Sequence, residues 1–258
     1  MKKEKINIPI SQFPEELRIY LEGASLYDSS CHSGATVLYL DTGYYLKIDQ
    51  KGKLAQEAQI TQWFEKQELG VPVLTYISQD RDYLLTKKAT GKSGLEFLDR
   101  PKILCRTMAT ALRQLHSLQP KHFPANSPLK DYIKTAKENY HKGLFYEKAL
   151  LPQFQIHSRE EAYQLIQEQG ELLTKGAFIH GDACLPNFIF KDAEHFSCFI
   201  DLGLAGLSDR HIDLFWAVWS LTYNLGNPKY AEYFLDCYGR EDIEIDKLRL
   251  ISAFEAFG

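Results

Sequence analysis

Three polar residues fall at intervals that phosphoryl chemistry can use. His180-Gly181-Asp182-Ala183-Cys184-Leu185-Pro186-Asn187 puts an asparagine five residues after an aspartate. Phe199-Ile200-Asp201-Leu202-Gly203 brings a second aspartate 14 residues beyond Asn187. A tight loop can present the Asp182 carboxylate to a hydroxyl that attacks the γ-phosphate of a nucleotide. Asn187, at the start of a strand, can offer an amide oxygen to Mg²⁺, and the returning strand can bring Asp201 to the same ion. Mg²⁺ favours such hard oxygen donors and completes its octahedron with phosphates and water. Any one of the three alone reads as a turn residue, because Asx side chains favour turns. All three, placed around apolar β-like segments at 187–190 and 196–200, point to phosphoryl transfer.

An independent pair lies earlier in the chain. In Tyr44-Tyr45-Leu46-Lys47-Ile48 the period of two puts Tyr45 and Lys47 on one strand face and Leu46 and Ile48 on the other. An ammonium in an apolar strand requires a partner, and Glu57 on the helix that follows supplies one. Two residues along a strand span about 6.6 Å, roughly the step from an adenine ring stacked near Tyr45 towards the α- and β-phosphates. The loop Ser29-Ser30-Cys31-His32-Ser33-Gly34 lacks G-x-G-x-x-G, although hydroxyls and backbone N–H groups can still cradle phosphate. No G-x-x-x-x-G-K-[ST] segment exists, which excludes a P-loop enzyme.

The elements that must hold these residues divide the chain in two. Thr36–Leu40 and residues 44–48 read as strands joined by Asp41-Thr42-Gly43, a turn with glycine where positive φ is expected. Residues 54–67 read as a helix, with strands at 73–78 and 83–87 after it. Ala89-Thr90-Gly91-Lys92-Ser93-Gly94 is small and polar and reads as an interlobe linker. Beyond it helices dominate: 103–118 carries an apolar stripe, Ser158-Arg159-Glu160-Glu161 is a capping box for a helix to about residue 173, and Asn227-Pro228 opens another that Gly239 stops. The expectation is an α+β chain: a small β-rich nucleotide-binding lobe at 1–90, strands with one inserted helix, and a larger helical catalytic and acceptor-binding lobe at 91–258 holding one β-hairpin.

Composition narrows the function classes. The 258 residues carry a formal net charge of −4 with 45% hydrophobic residues, an ordinary globular balance that speaks against general affinity for nucleic acid or anionic membranes. Five cysteines without a C-x-x-C pair fit neither a disulfide framework nor a cysteine zinc site, and the histidines contain no H-E-x-x-H. The N-terminal stretch is too polar for a signal peptide, and no run approaches the ~18 apolar residues of a membrane span. A soluble cytoplasmic protein, monomeric or homodimeric, is expected.

The H-x-D-x-x-x-x-N loop and its D-x-G partner have the spacing of protein kinases, and together they closely resemble the aminoglycoside 3′-phosphotransferase family of kinase-like enzymes. Residues 31–37, Leu46-Lys47, Gly70-Val71-Pro72, Leu115-His116-Ser117 and 252–257 extend the resemblance over nearly the whole chain. The resemblance implies a bilobal kinase-like fold and ATP-dependent phosphorylation of an aminoglycoside hydroxyl. It makes Asp182 the catalytic base, Asn187 and Asp201 the Mg²⁺ ligands, and Lys47 with Glu57 the pair that orders the phosphates. Ser33 is then placed over the triphosphate, Tyr45 on adenine, the backbone of Lys87 and Ala89 against the base, and Glu255 on the acceptor.

The acceptor side departs from the family pattern. Leu204 stands where an arginine is usual, Trp219-Ser220 where an Arg-Asp pair is usual, and Ala149, Pro152 and Phe254 where acids are usual. Phe215, Trp216, Trp219 and Tyr223 read as packing between helices, with Trp219 the alternative candidate for stacking on the acceptor. Cys184 reads as a small buried thiol, and Asp213 as a helix cap or loop brace. Two alternatives to an aminoglycoside kinase stand: the same chemistry on another small-molecule hydroxyl, and a nucleotide-binding module without turnover.

Overall fold

The computed structural model describes residues 4–30, 34–119, 123 and 129–258, without the side chains of residues 129–131. The chain divides into two compact units, Met1–Ala89 and Thr90–Gly258.

The first unit is built on β1 (Glu4–Ile6), α1 (Glu15–Leu21), β2 (Leu26–Asp28), β3 (Thr36–Leu40), β4 (Tyr44–Gln50), α2 (Ala55–Lys66), β5 (Val73–Ser78) and β6 (Arg81–Lys87). Its strands form one antiparallel sheet in the order β1-β2-β3-β4-β6-β5. Alternation along the strands sends residues to opposite faces. Leu38, Leu40, Leu46, Ile48, Tyr83 and Leu85 are buried with Phe13, Leu17 and Leu21 of the α1 region. Leu84 takes the opposite face, with Leu54 and Ala58 at the start of α2. Lys47 pairs in register with Leu84, so it stands on the α2 side.

The second unit contains β7 (Lys92–Ser93), α3 (Pro101–His116), α4 (Leu129–Lys142), α5 (Arg159–Gln169), β8 (Ala177–Ile179), β9 (Phe188–Asp192), β10 (His195–Phe199), β11 (Gly206–Ser208), α6 (His211–Leu225), α7 (Lys229–Tyr238) and α8 (Ile245–Glu255). The stripe Leu104, Met108, Ala111, Leu112 and Leu115 of α3 is wholly buried and α3 packs on α7. Each fully buried Leu contributes roughly 1.5–3 kcal/mol. α8 packs on α5 and α6. β9 and β10 form an antiparallel hairpin extended by β7, and β8 pairs with β11. No described helix is long and apolar enough to cross a membrane.

Several expectations need correction. The N-terminal unit has a second helix, α1, whose seven residues follow Pro14 and bury just Leu17 and Leu21, too short a pattern for a periodicity reading. Lys92 and Ser93 of the expected linker pair with Phe190 and Ile189. The second unit holds β8 and β11 besides its hairpin, three-residue strands whose partners lie far apart in sequence. The cap of α5 is as expected, Ser158 Oγ accepting from Glu161 N at 3.0 Å. The Glu161 carboxylate returns to His157 N at 2.9 Å, one residue before the position of a standard box. That helix ends at Gln169 and passes into a 3₁₀ turn through Leu172. Pro228 is the cap of α7, and the helix itself begins at Lys229.

Candidate active site

In the first unit, the central strand position of Lys47 brings its ammonium to both carboxylate oxygens of Glu57, each at 2.9 Å. Glu57 is in the first turn of α2 and is buried, so the sheet and the helix together fix the pair. The start of α2 is itself tied down. Asp82 of β6 accepts from Leu54 N at 2.9 Å and from Ser78 Oγ at 2.6 Å. Burial pushes the Asp82 carboxyl up, but these hydrogen bonds outweigh it and hold it below its ordinary value. On the Lys47 face, the rings of Tyr39 and Tyr45 lie 5.1 Å apart. The Lys87 N–H is committed to Pro72 O at 2.9 Å.

In the second unit, the loop after β8 is held from below by one acid. Asp213, fully buried on α6, accepts from His180 N at 2.7 Å and from Gly181 N at 2.8 Å. Its Oδ2 also lies 3.1 Å from His116 Nε2, and His116 Nδ1 is 2.8 Å from the Tyr238 hydroxyl. The ring of His180 contacts Ile200 O through Nε2 at 2.9 Å and accepts from Asp182 N through Nδ1. Those two roles require the neutral tautomer protonated at Nε2. Gly181 has φ +87°, and a Cβ there would come within 2.3 Å of Leu204 O. The glycine of this motif is therefore required twice, by backbone conformation and by space.

Asp182 and Asn187 face each other across the loop. Asn187 Nδ2 donates to Asp182 Oδ2 and to Asp182 O, both at 2.9 Å. With its nitrogen so committed, the amide presents its oxygen on the other side. Ile200 N donates to Asn187 O at 3.1 Å, so Asn187 and Asp201 lie at the same end of the β9–β10 hairpin. Asp201 sits in the left-handed region at φ +59°, where Asp is tolerated better than most residues. The hairpin is stiffened by Phe188, Phe190, Phe196 and Phe199, whose neighbouring centroids lie 4.6–6.2 Å apart. An amide oxygen and a carboxylate are hard donors that fit Mg²⁺. Among the described residues no group of three or more His, Cys, Asp and Glu could hold a metal.

Asp182 also lines a cavity of about 440 Å³. Its wall includes Tyr132 of α4, Ile179, Leu204, Trp216 of α6, and Phe254 and Glu255 of α8. Glu255 Oε1 accepts from the Tyr132 hydroxyl at 2.6 Å and from Trp216 Nε1 at 3.2 Å. Burial pushes the Glu255 carboxyl up to about 7, with the two donors pulling it down and the Asp182 charge adding to the rise. Cys184 beside Asp182 is pushed far up by burial and by that carboxylate, which leaves it a neutral thiol and no nucleophile.

Residues 31–251 match the APH family, described as the phosphotransferase enzyme family. A Lactococcus lactis protein named "Probable aminoglycoside 3'-phosphotransferase" is 40% identical over 99% of this chain and 98% of its own length. The aminoglycoside 3′-phosphotransferase of Niallia circulans is 30% identical over 85% of each chain. The chain belongs to the aminoglycoside 3′-phosphotransferase family. As a member it is an O-phosphotransferase with the α+β, kinase-like fold of that family. APH(3'')-Id of Streptomyces rimosus, at 22% identity, superposes with a TM-score of 0.73 over 97% of this chain and 99% of the other. That likeness speaks for the fold alone. The Streptomyces enzyme has also been seen in complex with ADP and streptomycin.

Against the family pattern, the structure brings together Lys47 and Glu57 in one unit, and Asp182, Asn187, the Asp201 turn and Glu255 in the other. Ser33 lies outside the described residues. Trp219 is not among the residues lining the cavity: its indole N–H donates to Lys148 O at 2.8 Å and its ring stacks on Tyr223. The neighbour three residues earlier, Trp216, takes that place. Tyr132, Trp216 and His116 were not anticipated as site residues. For His116 the signal was its place at the end of an apolar helix stripe, where a polar residue at a buried position needs a partner. Tyr132 carried no such signal.

Proposed function

We propose that this protein transfers the γ-phosphate of ATP to a hydroxyl of an aminoglycoside, a modification that confers resistance. The observation that carries the reading is that Asp182, oriented by Asn187, shares a cavity with a second acid, Glu255. Aminoglycosides are hydroxyl-rich cations, and such a wall suits them. With Oδ2 held by Asn187, Oδ1 of Asp182 is the oxygen that takes the proton of the attacking hydroxyl. Asn187 and Asp201 would hold Mg²⁺, which when bound neutralises the charge of the β- and γ-phosphates. Lys47, fixed by Glu57, pairs with the phosphate tail. Tyr45 offers a ring to the adenine, with the Lys87 carbonyl and Ala89 backbone for its edge.

The hairpin end and the buried Asp213 brace hold the transfer residues before substrate arrives, and preorganisation of this kind supplies much of the rate in phosphoryl transfer. We read the enzyme as soluble, cytoplasmic, and acting as monomer or homodimer without nucleic-acid or membrane partners. A second reading, another small-molecule hydroxyl, is favoured by the apolar share of the wall formed by Ile179, Leu204, Trp216 and Phe254. The test is ADP release under Mg²⁺ and ATP across aminoglycosides and unrelated hydroxylated compounds. Stimulation by aminoglycosides supports the first reading, and stimulation by another class alone replaces it with the second. No stimulation by any acceptor would reject both.

A further inference from the structure

Beyond Asp213, the hydrogen bonds that hold the transfer loop continue through His116 to Tyr238, the last residue of α7. Helix α7 supplies no described residue to the wall of the cavity, and Tyr238 itself is buried. A phenol hydroxyl in such a place needs a partner. His116 Nδ1 lies 2.8 Å from it, and the Arg210 guanidinium stands beside the same hydroxyl. Arg210 and Arg113 are themselves held by the Asp242 carboxylate, at 3.7 and 3.2 Å.

The direction of this row follows from what each group can give. A guanidinium has protons to donate and no lone pair to offer, so Arg210 can meet only the lone pairs of the Tyr238 oxygen. The hydroxyl proton is left for His116 Nδ1, which must then be bare. Burial pushes the Tyr238 phenol up while Arg210 and Arg113 pull it down, and the balance lies above its ordinary value. The hydroxyl therefore keeps the proton it is to donate. At the other end, Asp213 Oδ2 lies 3.1 Å from His116 Nε2 and accepts from His180 N at 2.7 Å. A bare Nε2 would turn its lone pair towards that carboxylate oxygen, whereas a protonated Nε2 is a third donor to Asp213. Both ends of the row ask for the same tautomer.

We propose that Tyr238 is a positioning residue for the transfer step, fixing His116 with its proton on Nε2 so that Asp213 is braced while it holds His180 N and Gly181 N. His180 Nδ1 accepts in turn from Asp182 N, which carries the constraint to the base. Tyr238 and His116 act through Asp213 and take no part in the chemistry itself. This rests on the reading of Asp182 as the base of phosphotransfer.

The first measurement needs no variant and no substrate: the ring nitrogen resonances of His116 in the full chain at neutral pH. A bare Nδ1 and a protonated Nε2 are expected. A proton on Nδ1, alone or together with one on Nε2, overturns the proposal. Tyr238→Phe keeps the ring, which packs edge-on to His116 at 5.7 Å, and removes the donor. Its kcat is expected to fall about three- to tenfold, the range of one neutral hydrogen bond, with nucleotide and acceptor KM within about twofold. Its His116 resonances are expected to show the second tautomer as well. An unchanged kcat overturns the assignment, whatever the resonances show.

Ala231→Gly, two turns earlier on α7, loosens that helix without removing the donor, and its kcat is expected to hold. An equal fall there would make Tyr238 a packing residue and overturn its role. Absence of turnover with every acceptor rejects the phosphotransfer reading itself, a result that the His116 resonances tell apart from a wrong tautomer.

Discussion

The Asn187 side-chain nitrogen and the Asp182 Oδ2 stand 2.9 Å apart, so the residue proposed as a metal ligand also orients the proposed base. Asp182→Asn removes the proton acceptor while keeping the shape. Turnover is expected to fall at least about 100-fold, the scale of general-base assistance, with nucleotide affinity nearly unchanged by calorimetric titration. Equal turnover in the variant would take Asp182 out of the role.

Asp213 holds two backbone N–H groups with separate oxygens while also meeting His116. Asp213→Asn replaces one acceptor oxygen by a donor that faces a donor. Leaving a buried donor unpaired costs about 1–3 kcal/mol, so thermal unfolding should move down by several degrees. Because the loop carries Asp182, kcat is expected to fall more than either KM, which steady-state kinetics of the folded variant would show.

Gly181→Ala meets two obstacles, φ +87° and a carbonyl 2.3 Å from the new Cβ. The expected destabilisation is about 2 kcal/mol or more, read by denaturant unfolding. Leu204 must move with its carbonyl, so the acceptor KM should rise as well.

Lys47→Ala removes the ammonium that bridges both Glu57 oxygens and leaves a buried carboxylate without that cation. Nucleotide KM is expected to rise at least about tenfold, the equivalent of one strong ionic contact, while acceptor KM holds. A larger effect on acceptor KM than on nucleotide KM would contradict the assignment.

Glu255 carries its carboxyl near 7 in the fold, raised from an ordinary value of 4.5 chiefly by burial. A group raised in the folded state contributes its stability in full below the unfolded value and loses it as pH climbs through the folded one. The native protein should therefore weaken between about pH 4.5 and 7 through this residue and level off above. Glu255→Gln keeps an oxygen for Tyr132 and Trp216 and has no charge to form, so its unfolding temperature should exceed the native one at pH 8 and approach it near pH 4.5. A constant difference across that range would count against the titration.

The site was legible where chemistry fixes spacing. Asp182, Asn187 and Asp201 announce themselves because a loop and a two-stranded return leave little freedom between them. Lys47 and Glu57 were readable because a charge in an apolar strand requires an opposite charge nearby. Asp213 was legible as a brace, but its His116 partner, 97 residues away, depends on how α3 meets α6, which local pattern does not encode. Tyr132 and Trp216 depend in the same way on the meeting of α4, α6 and α8. Trp219 illustrates the limit: helical spacing marks an aromatic face, and packing alone decides which of two tryptophans reaches the cavity. β8 and β11 escaped because three residues are too few for alternation to register.

The four phenylalanine rings of the β9–β10 hairpin make a keel beside Asn187 and Asp201. Exchange of side chains on α4 or α8 can thus retune what the protein modifies while the apparatus of transfer stays put. Two clocks can run in one chain, a slow one for the reaction and a fast one for its targets.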